Sequence, residues 1–377
     1  MIVFSLTVLI SYLVLIGSFC VGFEKLPKPK SNTAINQPTT TFSIVIPFRN
    51  EAKHLPQLLQ TLALLQYPKG AFEILLVNDA STDNSEALIT NFSTANPQLH
   101  IRLLINQRHS KSPKKDAIQT AIQTAKHQWI ITTDADCLIP ELWLDTFNNY
   151  IQSYKPVMLV APVTYIVQSS FLNQFQWFDM MSLQGATIGG FGIGKPFLCN
   201  GANLAYKKNA FINSNGFNNN NTIASGDDIF MLENMVSRHP KRVHYVKDVA
   251  AIVYTHAQPN IPDLIQQRKR WASKTKAYRY PFSKLTGVLV FLMNALVITL
   301  GLWSCFGDIN VIYILCLFIA KCSIDFILIF KSASFFRQTN TLKWYVFSAV
   351  LYPFFCTFIV GASMFSSYKW KGREFTK

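Results

Sequence analysis

Apolar positions along the chain change their pattern twice. Residues 2–23 form one apolar run without a charge. Between 42 and 132, short apolar runs alternate with stretches of helical period. From residue 285 onward three more long runs appear, at 285–306, 309–330 and 344–365. Each long run is of the length that spans a hydrocarbon core, about 20 residues.

The middle region resolves into elements. Residues 42–46 read as a strand closed by Pro47. Residues 52–65 are amphipathic, with Leu55, Leu58, Leu59, Leu62 and Leu65 on one face. Residues 72–77 are a second strand, and Asp83 can cap the helix after it. A short strand at 101–104, a helix at 114–126 and a fourth strand at 129–132 follow. Strands separated by helices predict a parallel sheet with helices on both faces. After Asp136 the alternation becomes irregular. Residues 171–181 are rich in aromatics (Phe171, Phe175, Trp177, Phe178) and suit either a membrane interface or a core. Residues 185–201 hold six glycines and read as mobile, 24–40 as a linker and 218–221 as a polar loop.

Composition adds compartment and partners. Charged residues make up 15% of the chain, against roughly 25% in soluble domains. The first run lacks the basic start and small-residue cleavage site of a signal peptide and reads as an uncleaved anchor. Lys25, Lys28 and Lys30 follow it, which assigns its C-terminal side to the cytoplasm. One anchor plus three further spans then puts the chain's end outside. Yet that end carries Lys369, Lys371, Arg373 and Lys377, which the same rule assigns inside. One run is therefore re-entrant or interfacial, or the tail breaks the rule. Lys321 and Asp325, four apart inside a span, are placed to pair on one helix face. The net charge of +15 suits a domain held on anionic lipid and handling an anionic ligand. No nucleic-acid motif accompanies it, so nucleic acid is not an expected partner. The seven cysteines show no zinc spacing and are expected to be reduced thiols.

Ligands of an open parallel sheet bind at the carboxyl ends of its strands. Three strands here end in polar residues: 47–51, Asn78-Asp79 and 134–136. Glu51, Asp79, Asp134 and Asp136 therefore gather at one edge. Alternation turns Asp134 and Asp136 to the same side, where a divalent, oxygen-preferring cation would relieve their repulsion and bridge to a diphosphate. Gly226-Asp227-Asp228 opens a helical pattern further on, and Gln267-Arg268-Lys269-Arg270-Trp271 stands just before the membrane runs.

In this order and spacing the segments resemble the membrane-bound members of glycosyltransferase family 2, over about residues 40–275. The resemblance implies an α/β fold, a GT-A domain for nucleotide-diphospho-sugars, with N-terminal and C-terminal transmembrane helices. Its divisions would be an anchor (1–23), a linker (24–40), a cytoplasmic catalytic domain (41–283), about three membrane segments (284–366) and a basic tail (367–377). It implies donor binding by Pro47, Glu51, Asp79, Lys115 (or its neighbour Lys114), Asp134, Gln267, Arg270 and Trp271. It places Mg²⁺ or Mn²⁺ on Asp136 and Asp134. Asn200, Gly201 and Asp227 fall on the acceptor side, and Asp228 takes the acceptor's proton. The implied reaction is inverting transfer from a nucleotide-diphosphate sugar, a UDP-sugar by preference, to a lipid-linked or glycan hydroxyl. The expected setting is a bacterial inner membrane or other plasma membrane, with membrane lipids as partners. A processive polysaccharide synthase and a non-catalytic nucleotide-sugar sensor are the alternatives.

Overall fold

The computed structural model describes residues 2–27, 38–217, 226–307 and 310–375. Lys28, Lys30, the 218–221 loop, Lys377 and most of the linker lie outside the described residues. The elements begin with α1 (Ile2–Lys25), β1 (Phe42–Phe48), α2 (Leu55–Ala63), β2 (Phe72–Asn78), α3 (Ser85–Ala95), β3 (Ile101–Ile105), α4 (Pro113–Thr124) and β4 (Trp129–Thr132). Then come α5 (Trp143–Tyr154), β5 (Met158–Val160), β6 (Val163–Tyr165), α6 (Phe171–Gly192), β7 (Leu204–Lys207), α7 (Lys208–Asn213), α8 (Asp227–Arg238), β8 (Val243–Tyr245) and β9 (Val253–Thr255). The chain closes with α9 (Ile261–Ser273), α10 (Pro281–Ser304), α11 (Val311–Phe335), α12 (Tyr345–Phe365), β10 (Tyr368–Trp370) and β11 (Arg373–Phe375). They fold as two compact units. One comprises Pro27–Ile166 and Cys199–His256, the other Met1–Leu26, Val167–Leu198 and Ala257–Lys377.

The first unit is a sandwich of helices on a mixed sheet of order β3-β2-β1-β4-β7-β5-β8. The first four strands are parallel, as expected. β7 departs from the expected all-parallel sheet, because it is antiparallel to both β4 and β5. The reason lies in where the chain returns. The Thr132 hydroxyl donates to the Gly201 carbonyl at 3.1 Å, so the segment leading into β7 starts at the edge where β4 ends. From there β7 can only run back, and it pairs Leu204 with Thr132 and Lys207 with Trp129.

Strand β1 runs two residues past the expected stop, with Pro47 inside it opposite Val77. A proline in a central strand normally costs a ladder bond. Here the amide of Thr133 donates to the Val45 carbonyl, so Val45, and with it Pro47, faces the β4 side. β4 has already ended there, and no donor is missed. The Leu55, Leu58, Leu59 and Leu62 face of α2 packs into one core with Phe42, Ile44, Ile46, Trp143 and Phe147.

The second unit holds α1, α6 and α9 to β11. Four of its helical stretches, Ile2–Lys25, Pro281–Ser304, Val311–Phe335 and Thr339–Phe365, are long and apolar enough to cross a membrane. Four of the six glycines in the stretch expected to be mobile, Gly185, Gly189, Gly190 and Gly192, lie in helix α6. Its glycines are contact points. A Cβ on Gly192 would stand 1.8 Å from the Gly22 carbonyl oxygen, and one on Gly189 2.4 Å from that of Phe19. Small residues let two helix backbones approach this closely, as membrane helix pairs require. The aromatics at the start of α6 belong to this unit's interior: Phe175, Trp177 and Phe178 are buried, with Phe355 and Tyr345 against them. Lys321 and Asp325 pair as expected, at 2.8 Å, and Tyr12 donates to the same carboxylate at 2.7 Å.

Candidate active site

The carboxyl edge of the parallel strands is built from interlocked loops. After β1, Asn50 turns with φ 52° and accepts from the Thr82 amide at 2.7 Å, while its own amide donates to the Ser81 hydroxyl. The Glu51 amide donates to the Ser85 hydroxyl, and that of Ala52 to Asp83 at 2.9 Å. Glu51 is thereby held buried at the start of the turn into α2. Asp83 ties two loops together and also accepts from the Ser85 amide, whereas the N-cap of α3 is Asn84.

Asp79 stands at the end of β2, nearly buried. Its Oδ1 accepts from Arg108 Nε at 2.6 Å and from Asn106 Nδ2 at 2.8 Å. The Arg49 guanidinium grips the carbonyls of Asp79 and Ala80, both at 2.7 Å. Ala80 has a φ of 55°, a left-handed conformation that an alanine adopts only where its surroundings impose it. The side-chain oxygen Oδ1 of Asn106 is buried beside this cluster and accepts no hydrogen bond from the protein. Arg108 and Asn106 were not legible as site residues. They follow β3, and nothing local marks them; the signal is their position at the third strand's carboxyl end.

After β4, Asp134 and Asp136 are both partly exposed while Ala135 and Cys137 between and beyond them are buried, as the alternation predicts. Burial and the two neighbouring carboxylates push the Cys137 thiol well above its ordinary range, so it stays protonated. Lys114 faces these acids. Its Nζ lies 2.6 Å from Asp134 and 3.5 Å from Asp227. Burial alone would lower the Lys114 pKa, but Asp134, Asp227 and Asp228 outweigh it and hold the ammonium charged. Lys115, the lysine first expected here, is fully buried, with its ammonium 5.1 Å from the Phe230 ring centroid. Consecutive helical residues point about 100° apart, so only one of the pair can face the acids.

Gly201 forms the floor between these groups. A Cβ there would be 3.2 Å from Asp227 Oδ2 and 3.5 Å from both Asp228 Cβ and Lys114 Nζ. Asn200 shapes the same turn by accepting from the Ala202 amide at 3.0 Å. Asn203 is structural: fully buried, it accepts from Trp143 Nε1 and donates to the carbonyls of Pro162 and Ala251. Asp227 and Asp228 open α8 behind Gly226, whose φ is 87°. Asp228 Oδ1 accepts from the Ile229 amide at 2.8 Å, in the first turn, where the helix end favours an anion.

Among the described residues no three His, Cys, Asp or Glu side chains converge as a full metal shell. Asp134 and Asp136 offer hard oxygen donors at an open edge. That suits Mg²⁺ or Mn²⁺, which commonly take one or two carboxylates and complete the shell with substrate phosphates and water.

Gln267, Arg270 and Trp271 lie on α9, in the other unit. Gln267 accepts from Arg268, whose Nε also donates to Asp179 at 2.6 Å. The same guanidinium stacks on the Trp271 ring, 4.1 Å from its centroid. Arg268, read only as a spacer in the motif, is thus the residue that orders α9.

Two family models match the chain. Glycosyl transferase family 2 covers residues 43–214, and glycosyl transferase family group 2 covers 129–360. A 110-residue stretch is 38% identical to an undecaprenyl-phosphate 4-deoxy-4-formamido-L-arabinose transferase of Yersinia pestis (strain Pestoides F). It represents 28% of this chain and 32% of that protein. The same figures hold for the protein of that name from Yersinia pseudotuberculosis serotype I (strain IP32953). The chain thus matches about a third of the length of these relatives. Among solved structures, a mannosyltransferase of Pyrobaculum calidifontis in complex with GDP-Man and Mn²⁺ shares the fold. Its TM-score is 0.53 at 15% identity, covering 95% of this chain and 96% of that one. A family match over more than half of the sequence, on a GT-A sheet and beside four apolar helices, makes this chain a glycosyltransferase of family 2.

Proposed function

We propose that the enzyme moves a single sugar, with inversion, from a nucleotide-diphosphate donor to the hydroxyl of a lipid acceptor at the cytoplasmic face of a membrane. The observation that carries this reading is Lys114, which joins Asp134 of the expected donor edge to Asp227 of the expected acceptor helix. In this reading Glu51 and Asp79 hold the nucleoside, with Pro47 shaping the loop between them. Asp134 and Asp136 face the diphosphate. A divalent cation on these carboxylates would supply Lewis-acid charge to the departing phosphate. Arg270 suits a diphosphate by its paired donors, and Trp271 a sugar by its flat ring.

The acceptor oxygen attacks the anomeric carbon from the face opposite the diphosphate. The carbon–oxygen bond to the donor breaks, its electron pair leaves with the diphosphate, and the acceptor's proton passes to Asp228. Asn200, Gly201 and Asp227 shape the acceptor side. The curated relatives, whose name specifies undecaprenyl phosphate, favour a second reading in which the acceptor is a lipid phosphate. A phosphate oxygen is already largely ionised near neutrality and would need no base.

The test is a donor panel on purified protein in lipid, with Mg²⁺ or Mn²⁺, followed by mass spectrometry. One donor releasing its nucleotide, with an organic-extractable product one sugar heavier than its acceptor, is the expected result. A water-soluble polymer lengthening with donor concentration would replace this reading with a processive synthase. A phosphodiester-linked sugar would select the lipid-phosphate reading.

A further inference from the structure

The four candidate spans do not all run the same course. Helices α1 and α11 run parallel: Ser5 pairs with Tyr313, Tyr12 with Asp325 and Glu24 with Lys331. Helix α10 runs the other way, for its first turn begins where α1 ends, with Phe282 edge-on to Phe19 at 6.2 Å. If these three cross a bilayer, the end of α1, the start of α10 and the end of α11 share one face.

Both ends of α12 lie toward that same face: at its start Tyr345 packs on Phe326 and donates to the Cys322 carbonyl at 2.6 Å, in the body of α11 rather than at its far end. Its start follows the end of α11 by a short 3₁₀ turn, Thr339–Trp344. Its end is fixed by the hairpin β10–β11, because β10 packs on α9. Burial raises the Tyr368 phenol, and the nearby charges of Arg270 and Lys274 oppose that shift, so this side chain lies beside the last turn of α9. Only Lys274–Ala277 and a short link separate α9 from α10. A helix of 21 residues is about 31 Å long, close to the hydrocarbon thickness. A helix of that length whose two ends both lie toward one face does not also reach the other.

We infer that α12 does not cross the membrane but lies along the leaflet at which α1 ends and α10 begins, with Val346, Val350, Phe354 and Phe358 among that leaflet's acyl chains. These four residues are exposed and spaced one turn apart. Ser348, Pro353, Ile359 and Ser363 face inward. A face that exposes phenylalanine and valine and buries serine suits lipid as its neighbour. The chain then crosses three times, and its basic tail joins Lys25 on one side. The positive-inside rule is satisfied at both places, and Lys371 and Arg373 meet the anionic headgroups of that leaflet.

A membrane-impermeant maleimide tests this in the full-length protein. Ser367→Cys reports the end of α12, Lys25→Cys the end of α1, and the native, exposed Cys305 the far end of α10. Right-side-out and inverted vesicles are labelled and each cysteine is read by peptide mass spectrometry. The expected result is that Ser367→Cys reacts in the preparation in which Lys25→Cys reacts, and Cys305 in the opposite one. Labelling of Ser367→Cys together with Cys305 overturns the proposal. Should Ser367→Cys disturb the hairpin, a reporter after Lys377 replaces it. Fluorescence of a cytoplasm-dependent protein there, with no activity of an exported phosphatase, supports the proposal; an active phosphatase overturns it.

Discussion

Lys114 and Asp134 form a charged contact of 2.6 Å, and the same ammonium reaches Asp227 at 3.5 Å. One cation therefore sets the spacing of two acids from distant parts of the chain. Lys114→Met should lower turnover by about 10²–10³, the cost of removing one preorganised electrostatic partner. Lys114→Arg should recover part of it. Wild-type kinetics in Lys114→Met would remove Lys114 from the mechanism.

Asp228→Asn separates the two acceptor readings. With a hydroxyl acceptor, kcat should fall by about the general-base factor of 10²–10⁴, with UDP affinity nearly unchanged. With a lipid-phosphate acceptor the loss should be slight. Loss of UDP binding instead would make Asp228 a donor-site residue.

The metal expectation rests on Asp136 as well as Asp134. Asp136→Asn should abolish transfer, and EDTA should do the same to the wild type until Mg²⁺ or Mn²⁺ is restored. Full turnover in EDTA would dismiss the cation.

Gly192 tests the helix packing. Gly192→Ala would bring a methyl group to 1.8 Å from the Gly22 carbonyl, and the backbones must part. Overpacking of this kind costs about 1–3 kcal/mol, occasionally more. A lower melting temperature in detergent is expected. Gly17→Ala, which meets nothing within 4 Å, should leave melting unchanged.

Glu73 gives the acid limit of the sheet unit. Burial would raise its pKa, but donors from the Lys126 amide (2.6 Å) and the Ser43 hydroxyl (2.7 Å), with His127 and Arg102, bring it below the ordinary glutamate range. A depressed carboxylate contributes stability above its unfolded pKa and loses it as pH falls through the folded one. Glu73→Gln should therefore cost about 1.5–3 kcal/mol near neutrality. The gap to wild type should narrow as pH drops below about 4, the unperturbed glutamate range. A gap independent of pH would contradict the assignment.

Up to Asp136 the elements were legible to within a few residues, because each strand and helix there carries its own period. Beyond it β5, β6, β8 and β9 are three residues each, too short to show one. The α6 glycines misread as mobile because what they fit, the backbone of α1, lies far away in sequence. Lys114 and Lys115 could not be told apart, since one residue of helix phase decides which meets the acids. The acids themselves needed only their strand ends. α12 is apolar whether it crosses or lies flat, so its course shows only in what its two ends touch.

The contact of Gly22 with Gly189 and Gly192 bears on how far the first helix can be treated as a replaceable tether. A tether needs only length and greasiness, and any apolar segment would serve. This one meets its partner backbone to backbone where Gly22 faces Gly189 and Gly192. It is a fitted part of its own helical unit. Cutting it away to obtain a soluble enzyme would open a glycine-lined furrow, and grafting a foreign segment would fill that furrow with the wrong shape.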